Sequence, residues 1–151
     1  MNWKIIVGFV LAVALIAGAF IVTSTKPVQA KEEFVVHKSP SCGCCSGYVK
    51  YLSSEGFNVK VVESNDLTDF KLEQGIPSDM ESCHTTIVGN YFVEGHVPIE
   101  AVNKLLSEKP DIDGISMPGM PAGSPGMGGK KIGDFVVYAL KDGVSSEFMR
   151  I

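Results

Sequence analysis

The segment KSPSCGCCSGYVKYL, residues 38–52, sets three thiols, Cys42, Cys44 and Cys45, within four positions where a helical pattern begins; a fourth, Cys83, follows in ESCHTT. At a helix start the first amides lack partners within the helix and the dipole carries partial positive charge, so thiolates there are stabilised and their pKa falls. Two chemistries use such thiolates: thiol–disulfide exchange and the ligation of soft metals. Neighbouring Cys44 and Cys45 are poor disulfide partners, because consecutive Cα atoms stand only about 3.8 Å apart. Cys42 and Cys45 make a C-x-x-C pair that can bridge at a helix start, which would leave Cys44 and Cys83 to pair if the fold brought them together. Four sulfurs in one pocket suit a metal better than a dithiol couple. Zinc accepts four thiolates but usually draws them from two separated knuckles, and this chain has one. A [2Fe–2S] cluster also takes four cysteines, against which C-x-C-C crowds three of them together. Crowded thiolates favour Cu(I), a soft ion that accepts bridging sulfur, so four sulfurs can hold several ions.

Further soft donors lie downstream. Met117, Met120 and Met127 occupy the Gly/Pro-rich stretch MPGMPAGSPGM, where little else would bury them. Thioether is a soft ligand, and the competing role for each is to fill gaps in the core. The three histidines are His37, at the end of an apolar run, His84, beside Cys83, and His96 in EGHVP. A lone histidine is more often structural than ligating. His84 and His96 are the stronger candidates; the side chain of His84 is expected on the opposite face of the sheet, and His96 is the one assigned to the site.

The elements that must position these groups follow from periodicity. EFVVHK reads as a buried strand ended by Pro40, and CSGYVKYLSSEGF as a helix with Tyr48, Val49 and Leu52 on one stripe and Gly56 at its end. NVKVVES alternates as a second strand, and NDLTDFKLEQG is a short helix with Asn65 or Asp66 as N-cap. HTTIVGNYFVEGHVP forms a hairpin about Gly89-Asn90, and PIEAVNKLLSEKP is a helix opened by Pro98 and closed at Lys109-Pro110. The order β-α-β-α-β-β-α, with cysteines between the first strand and first helix, predicts an α/β, thioredoxin-like sheet with flanking helices over residues 31–110. Residues 111–131 hold six glycines, three prolines and three methionines without periodicity, and DFVVYALKDGVSSEFMRI then turns at Asp142-Gly143 as a second hairpin. Residues 111–151 therefore form a Met/Gly/Pro-rich loop and a terminal hairpin that extend the core.

Residues 1–30 belong to another class. Residues 5–22 carry no charge, and Val28-Gln29-Ala30 fits a small-residue cleavage site, which is the anatomy of an export signal peptide. The alternative is an uncleaved anchor, whose 18 apolar residues stand at the short end for a bilayer. Either places the remainder outside the cytoplasm, in the periplasm or tethered to the inner membrane. Residues 31–151 carry 17 acids against 11 bases, a formal charge of −6, which argues against nucleic acid as a partner.

Taken in order, CGCC, SCHT, EGHVP and PGMPAGSPGM resemble the CopG-type copper-resistance proteins, exported proteins of Gram-negative bacteria long catalogued as a domain of unknown function. The resemblance runs over residues 34–148. It implies copper bound by Cys42, Cys44, Cys45 and Cys83, with His96, Met117, Met120 and Met127 as supporting groups and the C-terminal extension closing the site. It further implies interconversion of Cu(I) and Cu(II), with an efflux system or electron donor as partner. Two other functions compete. One is a thiol–disulfide oxidoreductase using Cys42 and Cys45, against which SDMESCHTT lacks the proline that thioredoxin-like exchange sites place just before the third strand. The other is a copper store or chaperone without catalysis.

Overall fold

The computed structural model describes residues 32–151, and the leader expected over residues 1–30 lies outside them. The strands are β1 (Glu33–Lys38), β2 (Asn58–Glu63), β3 (His84–Val88), β4 (Tyr91–Glu94), β5 (Gly114–Ser116), β6 (Val136–Lys141) and β7 (Val144–Arg150). The helices are α1 (Gly43–Ser54), α2 (Thr68–Glu73) and α3 (Ile99–Glu108), with one 3₁₀ turn at Ser78–Met80. All seven strands join one mixed sheet in the order β2-β1-β3-β4-β5-β6-β7.

Period-2 alternation aims Phe34 and Val36 of β1 into the main core, where they meet Tyr48 and Leu52 of α1, Ala101, Val102 and Leu105 of α3, and Val93, Ile115 and Val137 of the central strands. A smaller cluster of Ile76, Phe92 and Leu140 gathers residues from β4 and β6 with the segment that follows α2. Gly56 ends α1 at φ +81°, a conformation that glycine adopts without steric cost.

Two details differ from the sequence-based expectation. Leu67, not Asn65 or Asp66, stands at the N-cap of α2 and gives no side-chain cap; Asp66 instead accepts the Thr68 N–H through Oδ1 at 2.8 Å, a local Asx-type bond one residue upstream. Within the stretch taken as aperiodic loop, Gly114–Ser116 forms β5, parallel to β4 and antiparallel to β6. A Cβ at Gly114 would sit 2.3 Å from the Phe92 carbonyl oxygen, so glycine is what lets this strand close on β4.

The sheet register brings the chemistry to one end. β1 and β3 are antiparallel with Lys38 opposite His84, so the chain leaving β1 enters the C-x-C-C turn beside the residues that precede β3. β4 runs antiparallel to β3 with Glu94 opposite Thr85, which brings His96, two residues past β4, to the same end. β5 runs parallel to β4 with Ser116 opposite Glu94, so the methionine-bearing loop also departs from there.

Candidate metal centre

Cys42 is the N-cap of α1, and its sulfur accepts the Cys45 N–H at 3.3 Å. The turn is closed behind it by the Cys42 N–H donating to the Ser39 carbonyl at 3.1 Å. A C-x-C-C motif starting at an N-cap has its three thiols in a single turn, which is why the sulfurs converge: Cys42 Sγ lies 3.4 Å from Cys44 Sγ, and Cys45 Sγ lies 3.6 Å from the Cys83 carbonyl oxygen. The four sulfurs of Cys42, Cys44, Cys45 and Cys83 all fall within 4.8 Å of one another. Cys42 and Cys45 are joined in a disulfide, while Cys44 and Cys83 are free thiols, both half-buried. One bridge therefore forms where four cysteines allowed two.

His96 is fully buried and turns Nε2 to Cys83 Sγ at 3.1 Å. Its Nδ1 lies 2.7 Å from the Pro125 carbonyl, which can only accept, so Nδ1 carries the proton and Nε2 presents a lone pair to the thiol. Burial holds the His96 pKa below the ordinary value, against the Pro125 bond that raises it. His84 is also fully buried and places Nδ1 3.4 Å from Cys83 Sγ, not on the opposite face of the sheet as expected. The reason is that β3 begins at His84, so the strand's in-out alternation does not extend back to Cys83. Burial is also the main cause pushing the His84 pKa down to about 3, with His96, Lys71 and Lys38 adding repulsion. The Cys83 thiol is pushed up to about 11, chiefly by burial and then by neighbouring Cys44. Any metal taken up there displaces a proton.

Two supports were not legible in advance. Behind Cys83, the fully buried Glu94 is paired with Lys71 of α2, accepts the Ser82 N–H at 2.6 Å and accepts the Thr85 hydroxyl at 2.5 Å, while Lys71 donates to the Ser82 carbonyl at 2.9 Å. This buried pair clasps the residue before Cys83 from both its N–H and its C=O. The second support is the glycine-rich loop. A Cβ at Gly47 of α1 would sit 2.6 Å from the Gly126 carbonyl oxygen, and one at Gly126 would sit 2.3 Å from the Tyr48 nitrogen. Backbone thus lies directly on backbone at the start of α1, next to the Pro125 carbonyl that holds His96. Gly126 also has φ +78°. Gly126→Ala is expected to cost about 2 kcal/mol from the left-handed backbone and the forced separation. A fall in thermal midpoint with faster proteolysis of the loop would check it.

The methionines fall in three environments. Met117 is buried in the main core, Met127 is half-buried, and Met120 is 57% exposed. His37, on β1, stacks on Phe70 of α2 with ring centroids 4.0 Å apart.

A mixed α/β sheet that gathers four sulfurs and two imidazoles at one end defines a class: proteins with a sulfur-rich cluster, able to hold a metal ion, at the start of a helix. Comparison with known proteins agrees. Two solved structures described as copper resistance protein CopG, forms 2 and 1, each share 38% identity with the chain. Form 2 aligns with TM-score 0.74 over 80% of this chain and 98% of that one; form 1 aligns with TM-score 0.72 over 79% and 96%. Residues 80–127 match the family model described as a protein of unknown function, DUF411. No curated protein matches the chain. The chain belongs to the CopG copper-resistance protein family.

Proposed function

We propose that the chain is a periplasmic copper-binding protein that contributes to copper resistance through a cysteine-thiolate site and is redox-active. The observation that carries this is the convergence of four sulfurs within 4.8 Å, a donor set whose softness and crowding suit Cu(I) and allow sulfur to bridge several ions. In this reading Cys42, Cys44, Cys45 and Cys83 are the ligands, with His96, Met117, Met120 and Met127 as supporting groups. Redox activity is favoured by the Cys42–Cys45 bridge lying among those donors. Opening it takes up two electrons and two protons, as many electrons as two cuprous ions release on becoming cupric. An efflux system or an electron donor would be the partner.

The thioredoxin-like reading of residues 31–110 draws support from the partial order β2-β1-β3-β4, with β1 and β2 parallel and β3 and β4 antiparallel to their neighbours. Residues 111–151 then act as an extension whose loop packs on the site. Location in the periplasm, free or tethered, rests on the leader over residues 1–30. Among the described residues no helix is long and apolar enough to cross a membrane.

Anaerobic loading of the reduced protein with Cu(I) tests the proposal. More than one copper per chain is expected, with most of it lost in Cys44→Ser. Unchanged copper content in that variant would defeat a multinuclear thiolate site. Cycling of the bound copper, followed by electron paramagnetic resonance under oxidant, separates redox activity from storage. The joined Cys42–Cys45 pair also favours a second reading, thiol–disulfide exchange. Under it the metal-free protein reduces insulin and Cys44 is dispensable.

A further inference from the structure

Cys83 belongs to a second donor set. Its Sγ and one ring nitrogen each of His84 and His96 lie within 4.8 Å of one another. We propose that these three groups form a nitrogen-bearing metal site that takes one borderline divalent cation per chain while Cys42 and Cys45 are joined. The proposal rests on the copper reading in placing metal at this end of the sheet, and differs from it in ligands, ion class and redox state.

Joining Cys42 to Cys45 removes two of the four thiols from ligation, because the thiolate is the metal ligand and a disulfide sulfur carries no charge. What the bridged chain keeps is Cys44, Cys83 and two imidazoles. Imidazole with thiolate suits Zn(II), Co(II) and Cu(II), whereas the all-sulfur set suits Cu(I). The geometry is close to what such an ion needs. A tetrahedral ion with ordinary metal–sulfur and metal–nitrogen bonds separates S from N by roughly 3.5 Å. The observed separations from Cys83 Sγ are 3.1 Å to His96 Nε2 and 3.4 Å to His84 Nδ1, so a spread of a few tenths of an ångström admits it.

His96 is arranged as a metal ligand is. His96 donates its far Nδ1–H to the Pro125 carbonyl, the outer bond that fixes tautomer and ring orientation in metal sites. His84 is fully buried, touches only a thiol sulfur through Nδ1, and its Nε2 has no hydrogen-bond partner among the described residues. With Nε2 carrying the proton, Nδ1 keeps a lone pair directed at the sulfur side, where an ion can take it. The two rings stand edge to face, 4.8 Å between centroids, with both nitrogens turned to one sulfur. Cys83 itself is half-buried, not sealed in the core.

Titration of the bridged protein with Co(II) under anaerobic conditions tests this. One ion per chain is expected, with sulfur-to-cobalt charge-transfer absorption. Cys83→Ser should abolish that absorption and His96→Gln should weaken binding at least tenfold. Cys44→Ser should retain both. A Cys42→Ser/Cys45→Ser variant, which lacks the bridge and two sulfurs but keeps the three donors, should bind as the bridged protein does. No uptake by the bridged protein, undiminished uptake in Cys83→Ser, or loss in Cys44→Ser would each overturn the assignment. Cu(I) loading of the reduced protein, measured on the same preparation, separates the two ideas. Cu(I) uptake without Co(II) uptake defeats only this site, and Co(II) uptake without Cu(I) uptake defeats only the copper reading.

Discussion

Cys83→Ser is expected to remove most bound metal from the protein in both redox states, a loss of more than tenfold in copper retained after desalting the reduced form. Cys83 is the one residue shared by the four-sulfur group and the sulfur–imidazole group. It is also the only cysteine outside the C-x-C-C turn, so without it the remaining thiolates come from one turn of chain and leave the opposite side of an ion without a thiolate. A serine hydroxyl is a hard, weakly acidic donor and does not replace thiolate for Cu(I). The substitution should barely touch stability, within about 1 kcal/mol, because Cys83 is half-buried and its side chain carries no core packing. Elemental analysis beside a thermal melt reads both quantities. The variant also separates copper binding from thiol–disulfide exchange. The Cys42–Cys45 pair survives in it, so an oxidoreductase would keep insulin reduction while losing nothing of its mechanism. Full copper content in Cys83→Ser would sink the account of converging segments.

What was readable from the sequence was whatever local periodicity and turn chemistry decide. The strands flanking Gly89-Asn90 and Asp142-Gly143, the helix opened by Pro98 and the cysteines at a helix start are all found where short-range pattern puts them. β5 was unreadable because three residues hold no period, and Gly114 earns its place only through its approach to Phe92, a partner more than twenty positions away. His84 shows the same limit at the site. The Cys83-His84 pair stands out in the sequence, but strand alternation begins only at His84 and does not govern Cys83, so the ring faces the sulfur. The Lys71–Glu94 clasp left a fainter trace. Glu94 closes an otherwise apolar strand, YFVE, with a charge, which hints at a buried partner, yet nothing in TDFKLE singles out Lys71. The Pro125 carbonyl could not be foreseen, since a backbone acceptor has no residue-type signature. Glycines at 47 and 126 are legible only as a pair pressed together.

Lys71→Met is expected to destabilise the protein by about 3–5 kcal/mol, the cost of leaving one member of a buried ion pair without its partner. For a domain of this size that corresponds to a fall of roughly 10–20 °C in thermal midpoint. Methionine keeps the length and apolar stem of lysine, so lost volume is a minor part of the effect. Glu94 is fully buried and already has a raised pKa from burial, with Lys71 the main influence opposing that rise. Removing the ammonium pushes the carboxyl further up. A group whose folded pKa lies above its unfolded value, ordinarily 4.5 for this glutamate, binds more protons folded than unfolded. Its contribution is then fully present below that pH and is lost as pH rises through the folded value. The variant's deficit should therefore be small in acid and grow towards neutrality. Glu94→Gln added to Lys71→Met should recover part of the loss, because a neutral amide removes the unpaired buried charge, its oxygen can still accept the Ser82 N–H, and its NH2 can donate to the Thr85 hydroxyl oxygen. Denaturant unfolding across that pH range measures both. Because the same pair grips Ser82, copper retention by the folded fraction of Lys71→Met should also fall, through a Cys83 no longer held against His96. A pH-independent deficit, or a double variant no more stable than the single one, would show that Lys71 acts through packing rather than through its charge.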